Sequence, residues 1–279
     1  MPFTTRMFPR ARAMLALLPL TLASTASLAQ QSPALDRFSL WVGGFDANTN
    51  TTIGASDKSG QYKGSVNLED DLGLDDHKTV PRAHMDVLIG DSQGFSFDYF
   101  SVNRSRGATL GKSISYGGND YSAAASVRGK LDFDLGSAAY RWWFGHGDDV
   151  VGLGLGAAYY RVNAGIYGDA SFDGQTVGYA STSTDQSAWA PMLEGGWRHA
   201  FNDQWRMYFD ASGVKKNGGN LNGHIYRAAL GLQWFPWSNV GVGAEYGYTR
   251  ISLNDDKRHY DASLDMKLKG PALFVGLRF

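Results

Sequence analysis

Apolar residues recur at every second position over most of the chain. In Gly94 to Asn103, Phe95, Phe97 and Tyr99 share one face and Ser96 and Asp98 the other, the two-residue period of a half-buried strand. Pro81 to Gly90 sets Ala83, Met85, Val87 and Ile89 against Arg82, His84, Asp86 and Leu88. Val150 to Tyr160 sets Val151, Leu153, Leu155, Ala157 and Tyr159 against a face nearly bare of side chains, Gly152, Gly154 and Gly156. The same period predicts strands at Arg37 to Ala47, Ala188 to Phe201, Trp205 to Ser212, Ile225 to Trp234, Val240 to Thr249 and Ser263 to Phe279. In Lys130 to Phe144 the apolar parity changes from Leu131, Phe133 and Leu135 to Ala138, Tyr140 and Trp142, which predicts a bulge at Gly136-Ser137. The total is ten strands. Eight or twelve stay open, since Gln61 to Asn67 and Gly165 to Tyr179 read as hairpins that lengthen loops.

The connections alternate in length. Short turns fall at Gly90 to Gly94, Gly145 to Asp149, Asn202 to Gln204 and Pro236 to Asn239, and longer polar stretches at Asn48 to Thr79, Ser105 to Ser122, Asp169 to Gln186, Lys216 to Asn222 and Asn254 to Ala262. An up-and-down membrane barrel has this asymmetry, brief turns on one side and long loops on the other. Most of the eight tryptophans lie by the short turns: Trp142, Trp143, Trp197, Trp205, Trp234 and Trp237, as an interfacial aromatic belt requires. Tyr99, Tyr159, Trp189, Tyr226, Tyr246 and Tyr248 supply a second belt at the other strand ends. A soluble β-sandwich buries aromatics too, but has no reason to sort them by turn length.

Composition narrows the picture further. Glycine at 35 residues, aromatics at 13%, charged residues at 19% and only 8 prolines suit many strands in one domain. A formal charge of −1 without a clustered Lys/Arg stripe argues against a nucleic-acid partner. With no cysteine there is neither disulfide nor thiolate chemistry. At the amino end, Arg6, Arg10 and Arg12 precede the apolar run Ala13 to Ala23, and Ser27-Leu28-Ala29 supplies small residues, which predicts a secretory signal cleaved after Ala29. The run of about 11 apolar residues is short of the roughly 20 a spanning helix needs. Residues 30–36 then form a short leading segment and 37–279 one barrel domain.

With its signal, ten alternating segments and terminal VGLRF, the chain resembles the Gram-negative outer-membrane β-barrels over residues 37–279. The resemblance implies an all-β, antiparallel, up-and-down transmembrane barrel with short periplasmic turns and long external loops. It also implies an assembly signal, Phe279 with Leu277, Val275 and Leu273, read by the barrel-assembly machinery. The last strand would pair with the first and leave no open edge.

If the apolar face meets lipid, the other face lines the lumen with Arg82, His84, Asp86, Asp98, Lys130, Asp132, Asp134, Arg141, Glu194, Arg198, Arg206, Asp210, Arg227, Glu245 and Arg278. These charges either line a narrow porin-like passage for small solutes or pair with one another in a sealed lumen that serves a structural, loop-presenting barrel. A barrel of about eight to ten strands is hardly wider than its side chains, which favours sealing. The glycines of Val150 to Tyr160, with Gly241, Gly243 and Gly247, either leave room or accommodate Tyr160, Tyr208 or the arginines.

Hydrolase or lipid A-modifying chemistry has weak support. Asp75, Asp76 and His77 are sequential, His259 and Asp261 lie two apart, and His84 shares a strand face with Asp86. Each pair is able to orient an imidazole as a base, yet no motif fixes a nucleophile, and no catalytic residue is assigned. His146 and His199 read as interfacial. No cofactor is expected. The acidic run Leu68 to Asp76 lacks calcium-loop spacing and predicts a solvated external face or, folded inward, a plug opposite Arg82 or Lys130. Lys215, Lys216, Arg250, Lys257 and Arg258 lie towards the external ends, where lipopolysaccharide phosphates are available partners.

Overall fold

The computed structural model describes residues 32–57, 63–109, 114–116, 119–121, 126–172, 175–219, 221–256 and 260–279. The expected signal, Met1 to Ala29, and Lys257, Arg258 and His259 lie outside the described residues.

Thirteen strands occur among them: β1 Phe38–Asp57, β2 Lys63–Asn67, β3 His77–Ile89, β4 Gln93–Thr109, β5 Ile114–Tyr116, β6 Asn119–Tyr121, β7 Ser126–His146, β8 Asp149–Phe172, β9 Gln175–Ala200, β10 Trp205–Lys216, β11 Leu221–Trp234, β12 Val240–Asp256 and β13 Tyr260–Arg278. Ten of them form a ring in which each pairs antiparallel with the next, β1, β3, β4, β7, β8, β9, β10, β11, β12 and β13. The ring closes where β1 meets β13, from Ser39 opposite Arg278 to Asp57 opposite Tyr260. Phe38 and Phe279 exchange backbone hydrogen bonds of 2.9 and 3.1 Å at the seam. No edge is left open in the ring, as the terminal alternation predicts. The short strands β2, β5 and β6 lie off it, β2 on β1 and the β5–β6 hairpin on β8. At the turn end, Gly90 (φ 74°) and Gly147 (φ 66°) occupy left-handed backbone positions that let β3–β4 and β7–β8 reverse tightly.

The barrel has two polarities along its axis. Near the short turns the outer face is greasy: Val151, Leu153 and Leu155 on β8 and Leu273 and Val275 on β13 are at least half exposed. Farther up, the outer positions become Arg161 on β8, Asp134 and Asp132 on β7, Arg250 on β12, and Lys269 and Lys267 on β13. Over the same height the inner face changes in the opposite sense. Charged groups low in the barrel give way to buried Phe100, Leu131, Phe133, Ile251, Met266 and Leu268. The upper half is therefore built like a water-soluble barrel, apolar within and polar without, and the lower half like a membrane-embedded one.

This inversion corrects three expectations. The parity change in β7 is not a bulge: Asp98 opposes Ser137 and Tyr99 opposes Gly136 on one side, while Gly136 opposes Tyr159 and Ser137 opposes Ala158 on the other, without interruption. Leu131, Phe133 and Leu135 point inward at the top, and Tyr140 and Trp142 point outward at the bottom of one regular strand. The polar stretches Asn48 to Thr79 and Asp169 to Gln186 are in large part strand, since β1, β8 and β9 continue well above the greasy zone. The register shift found in β8–β9 lies at Ala170/Ser171, near the hairpin tip.

The acidic run Leu68 to Asp76 also departs from a solvated face. Leu68, Leu72 and Leu74 are buried in the upper core, so the segment folds inward and caps the mouth. Its acids meet neither Arg82 nor Lys130. Glu69 pairs with Arg104 at 2.5 Å and accepts the Thr51 backbone N–H at 2.7 Å, and Asp75 pairs with Arg106.

Candidate functional site

The lower lumen gathers charges from neighbouring strands of the ring and from strands across it. Arg82 on β3 pairs with Asp98 on β4 at 3.0 Å and reaches across to Glu245 on β12. Glu245 also accepts the Tyr208 hydroxyl of β10 at 2.7 Å. Asp98 receives Arg227 from β11 at 2.7 Å. On the other side, Arg141 of β7 donates to Glu194 of β9 at 2.7 Å and to Asp210 of β10 at 3.1 Å, and Arg198 of β9 holds Asp210 at 2.9 Å. His84 sits between Asp86, 3.0 Å from Nε2, and Asp98, 3.3 Å from Nδ1. Each buried ion is met by an opposite one, the condition for leaving charge in a low-dielectric interior.

Aromatic rings fill what the ions leave. Trp143 turns inward, correcting its place in the belt, and both Arg141 and Arg198 stack on it at 5.1 and 5.2 Å. A methyl group on Gly152 would come within 2.9 Å of Trp143 and Arg141, one on Gly231 within 2.5 Å of the Tyr208 ring, and one on Gly276 within 2.5 Å of Trp41. The glycines are bare because bulky neighbours occupy their space. Cavities lined by these groups measure about 60, 30 and 10 Å3, and one water needs about 10–15 Å3.

The segment leading into β1 closes the turn end. Ser32 Oγ donates to the Gly147 carbonyl, Ala34 packs with Trp143, Val150 and Ala200, and Asp36 pairs with Arg206 at 2.6 Å. Arg278 lies beside it, stacked on Phe235 at 3.6 Å and donating to the carbonyls of Ser238 and Asp203.

Of the residues expected in the lumen, Arg82, His84, Asp86, Asp98, Arg141, Glu194, Arg198, Arg206, Asp210, Arg227 and Glu245 do converge there, and Arg278 sits at its floor. Lys130, Asp132 and Asp134 do not. They lie on the outer face of upper β7, where Lys130 pairs with Asp132 at 2.8 Å and Asp134 accepts the Tyr99 hydroxyl at 3.3 Å. The inverted polarity of the upper barrel puts them in water. Outside the lower barrel, Trp205 and Trp234 stack at 5.9 Å and Trp237 is two-thirds exposed, with Trp142 and Trp197 half-buried on the same face. Leu273, Val275, Leu277 and Phe279 all face outward.

The histidine pairs separate. His77 is exposed, and Asp75 turns instead to Arg106. His199 meets Asp149 at 2.9 Å near the short turns, and His259 lies outside the described residues. Among the described candidates His84 alone has two carboxylates. Sequence reasoning missed Asp36 and the Arg104–Glu69 pair, offered Tyr208 only as a ring the glycine faces accommodate, and put Trp143 in the belt; the leucines between the acids of Leu68 to Asp76 were the available sign of an inward fold.

A closed ten-strand antiparallel barrel, greasy outside and ion-paired within, has the fold of the Gram-negative outer-membrane β-barrels. The fold is shared with a solved structure. The outer membrane protease OmpT from Escherichia coli superimposes with a TM-score of 0.54 at 10% identity, over 87% of this chain and 96% of that one. OprG from Pseudomonas aeruginosa gives 0.39 at 11% identity, over 89% of this chain and 99% of that one. The P. putida toluene transporter TodX gives 0.36 at 10% identity, over 90% and 93%. No family model and no curated protein matches the sequence.

Proposed function

We propose that the protein is a sealed, non-enzymatic outer-membrane barrel that carries a folded external half above the bilayer. The observation supporting this is the filling of the lower lumen: ion pairs cross it, rings occupy its glycine faces, and the segments Ser32 to Asp36 and Leu68 to Asp76 cover its two ends. The external half, chiefly the long β8–β9 hairpin, is the part offered to an extracellular partner. The closing strand ending in Phe279 serves assembly. His84 and its carboxylates lie inside the lumen and act as members of the ion-pair network.

Planar-bilayer recording of the refolded mature protein tests the seal. The expected trace has no steady conductance steps, and steady steps would establish the narrow-channel alternative. Turnover of lipid A or of a peptide, abolished by His84→Ala, would overturn the non-enzymatic reading.

A further inference from the structure

The outer wall is not the same all round. In the rungs directly above the tyrosines, β10, β12 and β13 carry Lys215, Arg250, Lys267 and Lys269 on the outer face, with Arg250 opposite Lys267 and Tyr248 opposite Lys269. At this height two carboxylates share the wall, Asp265, which pairs with Arg250 at 3.1 Å, and Asp46 on β1, while Asp256 and Asp261 lie farther up. Among the described residues neither Lys267 nor Lys269 has a carboxylate partner. Across the barrel, β7, β8 and β9 carry Asp132, Asp134, Asp185 and Arg161 at this height, and Arg161 is held by Asp185 through bonds of 2.6 and 3.1 Å. At this height the cations without a carboxylate partner, Lys267 and Lys269, lie on one side.

A second feature lies beneath it. On the same wall, in the greasy zone, a groove of about 510 Å3 runs between Val42, Ala244, Leu273 and Val275 and ends against the stacked Trp205 and Trp234. Leu273 is four residues down β13 from Lys269, about 13 Å along the strand. A molecule with phosphates at the height of the lysines would lay an acyl chain into this groove.

We infer that the β12–β13 wall, with β1 and β11 at its flanks, binds one phosphorylated, multiply acylated glycolipid of the outer leaflet. Lys267, Lys269 and Arg250 take its phosphates and the groove takes one of its chains. Ammonium and guanidinium groups match phosphate oxygens by charge-assisted hydrogen bonds. Exposed Tyr246 and Tyr248 sit at the sugar–acyl boundary, where amphipathic rings are favoured. At the same height the cations of the opposite wall are held by carboxylates, Arg161 by Asp185 and Lys130 by Asp132.

The test uses the full mature protein refolded in detergent micelles, with bis-phosphorylated hexa-acyl lipid A and its dephosphorylated form as probes and binding read by native mass spectrometry. The double variant Lys267→Ala/Lys269→Ala is expected to weaken the bis-phosphorylated probe by at least about tenfold, from about 1 kcal/mol per interfacial cation. Ala244→Phe, which fills the groove, should weaken both probes severalfold, and Lys130→Ala/Arg161→Ala on the opposite wall neither. The dephosphorylated probe should bind the native protein weakly and ignore the lysine variant. Heat-dependent gel mobility verifies that each variant is folded. Equal losses from the two walls, unaltered binding in the lysine variant, or equal binding of both probes would overturn the inference.

Discussion

A guanidinium in this lumen contributes most where it serves two carboxylates at once, as Arg82 does for Asp98 and Glu245. Arg82→Ala leaves Asp98 to Arg227 and His84 but strips buried Glu245 of its cation, with only the Tyr208 hydroxyl remaining, and urea unfolding of the bilayer-inserted protein should show a loss of about 3–5 kcal/mol. The double variant Arg82→Met/Glu245→Leu removes a cation and an anion together and should recover most of that loss. On the outer face the energetics differ. The Asp185 carboxyl is held below its ordinary value of 3.8, first by the hydrogen bond from Arg161 and then by that residue's charge. A lowered folded value means the pair's contribution is complete above the ordinary carboxylate range and is lost as pH falls through the lowered one. An NMR titration of the Asp185 carboxyl carbon should show this, and Arg161→Gln should return the midpoint towards 3.8. Single residues were legible where charge and parity agree, as for Arg141 and Asp210. Lys130, Asp132 and Asp134 share the polar parity of their strand yet face outward, because parity names a face without saying which medium that face meets.

At the scale of elements, the strands were legible chiefly where their outer face is greasy, although Lys130 to Leu135 and Ser263 to Lys269 higher up also read as strand. An apolar outer face marks Val151 to Tyr159 on β8, and a search for that face stops at Tyr160 although the strand continues to Phe172. Above the bilayer the outer residues turn polar and much of the sequence reads as loop. Glycine and serine in Gly165 to Thr184 add to that impression, since pairing partners rather than propensity keep this hairpin extended. The capping segment was obscured by its own acids: five carboxylates between Leu68 and Asp76 outweigh three leucines in any average. Those leucines hold the cap down. Leu72→Ala deletes a fully buried side chain and should cost about 2–5 kcal/mol. Because the ring closes without this segment, the cost should appear as local opening. Limited proteolysis is expected to cut within residues 68–76 while heat-dependent gel mobility stays unchanged, and loss of that mobility would show that the cap is integral to the barrel.

Across the whole molecule the described strands form one continuous sheet whose lower half is greasy outside and whose upper half is polar outside. A strand needs about 9–11 residues to span the hydrocarbon, whereas β8 and β9 have 24 and 26, so the surplus must satisfy the opposite solvent rule. The fold class, the ten-strand ring and the closing seam followed from alternation, turn lengths and the carboxyl-terminal pattern. The doubled architecture did not, because each strand carries two short patterns of opposite sense and either is weak alone. The inversion is open to direct measurement, since a chain without cysteine accepts single probes cleanly. Leu153→Cys, Leu155→Cys, Ala157→Cys, Arg161→Cys and Asn163→Cys, all on the outer face of β8, are to be spin-labelled and reconstituted in bilayers, and their accessibility to oxygen compared with that to a water-soluble nickel chelate. Oxygen should dominate through Ala157 and the chelate from Arg161 onward. Oxygen dominance persisting to Asn163, or chelate dominance already at Leu153, would contradict a barrel that reverses its polarity along its axis.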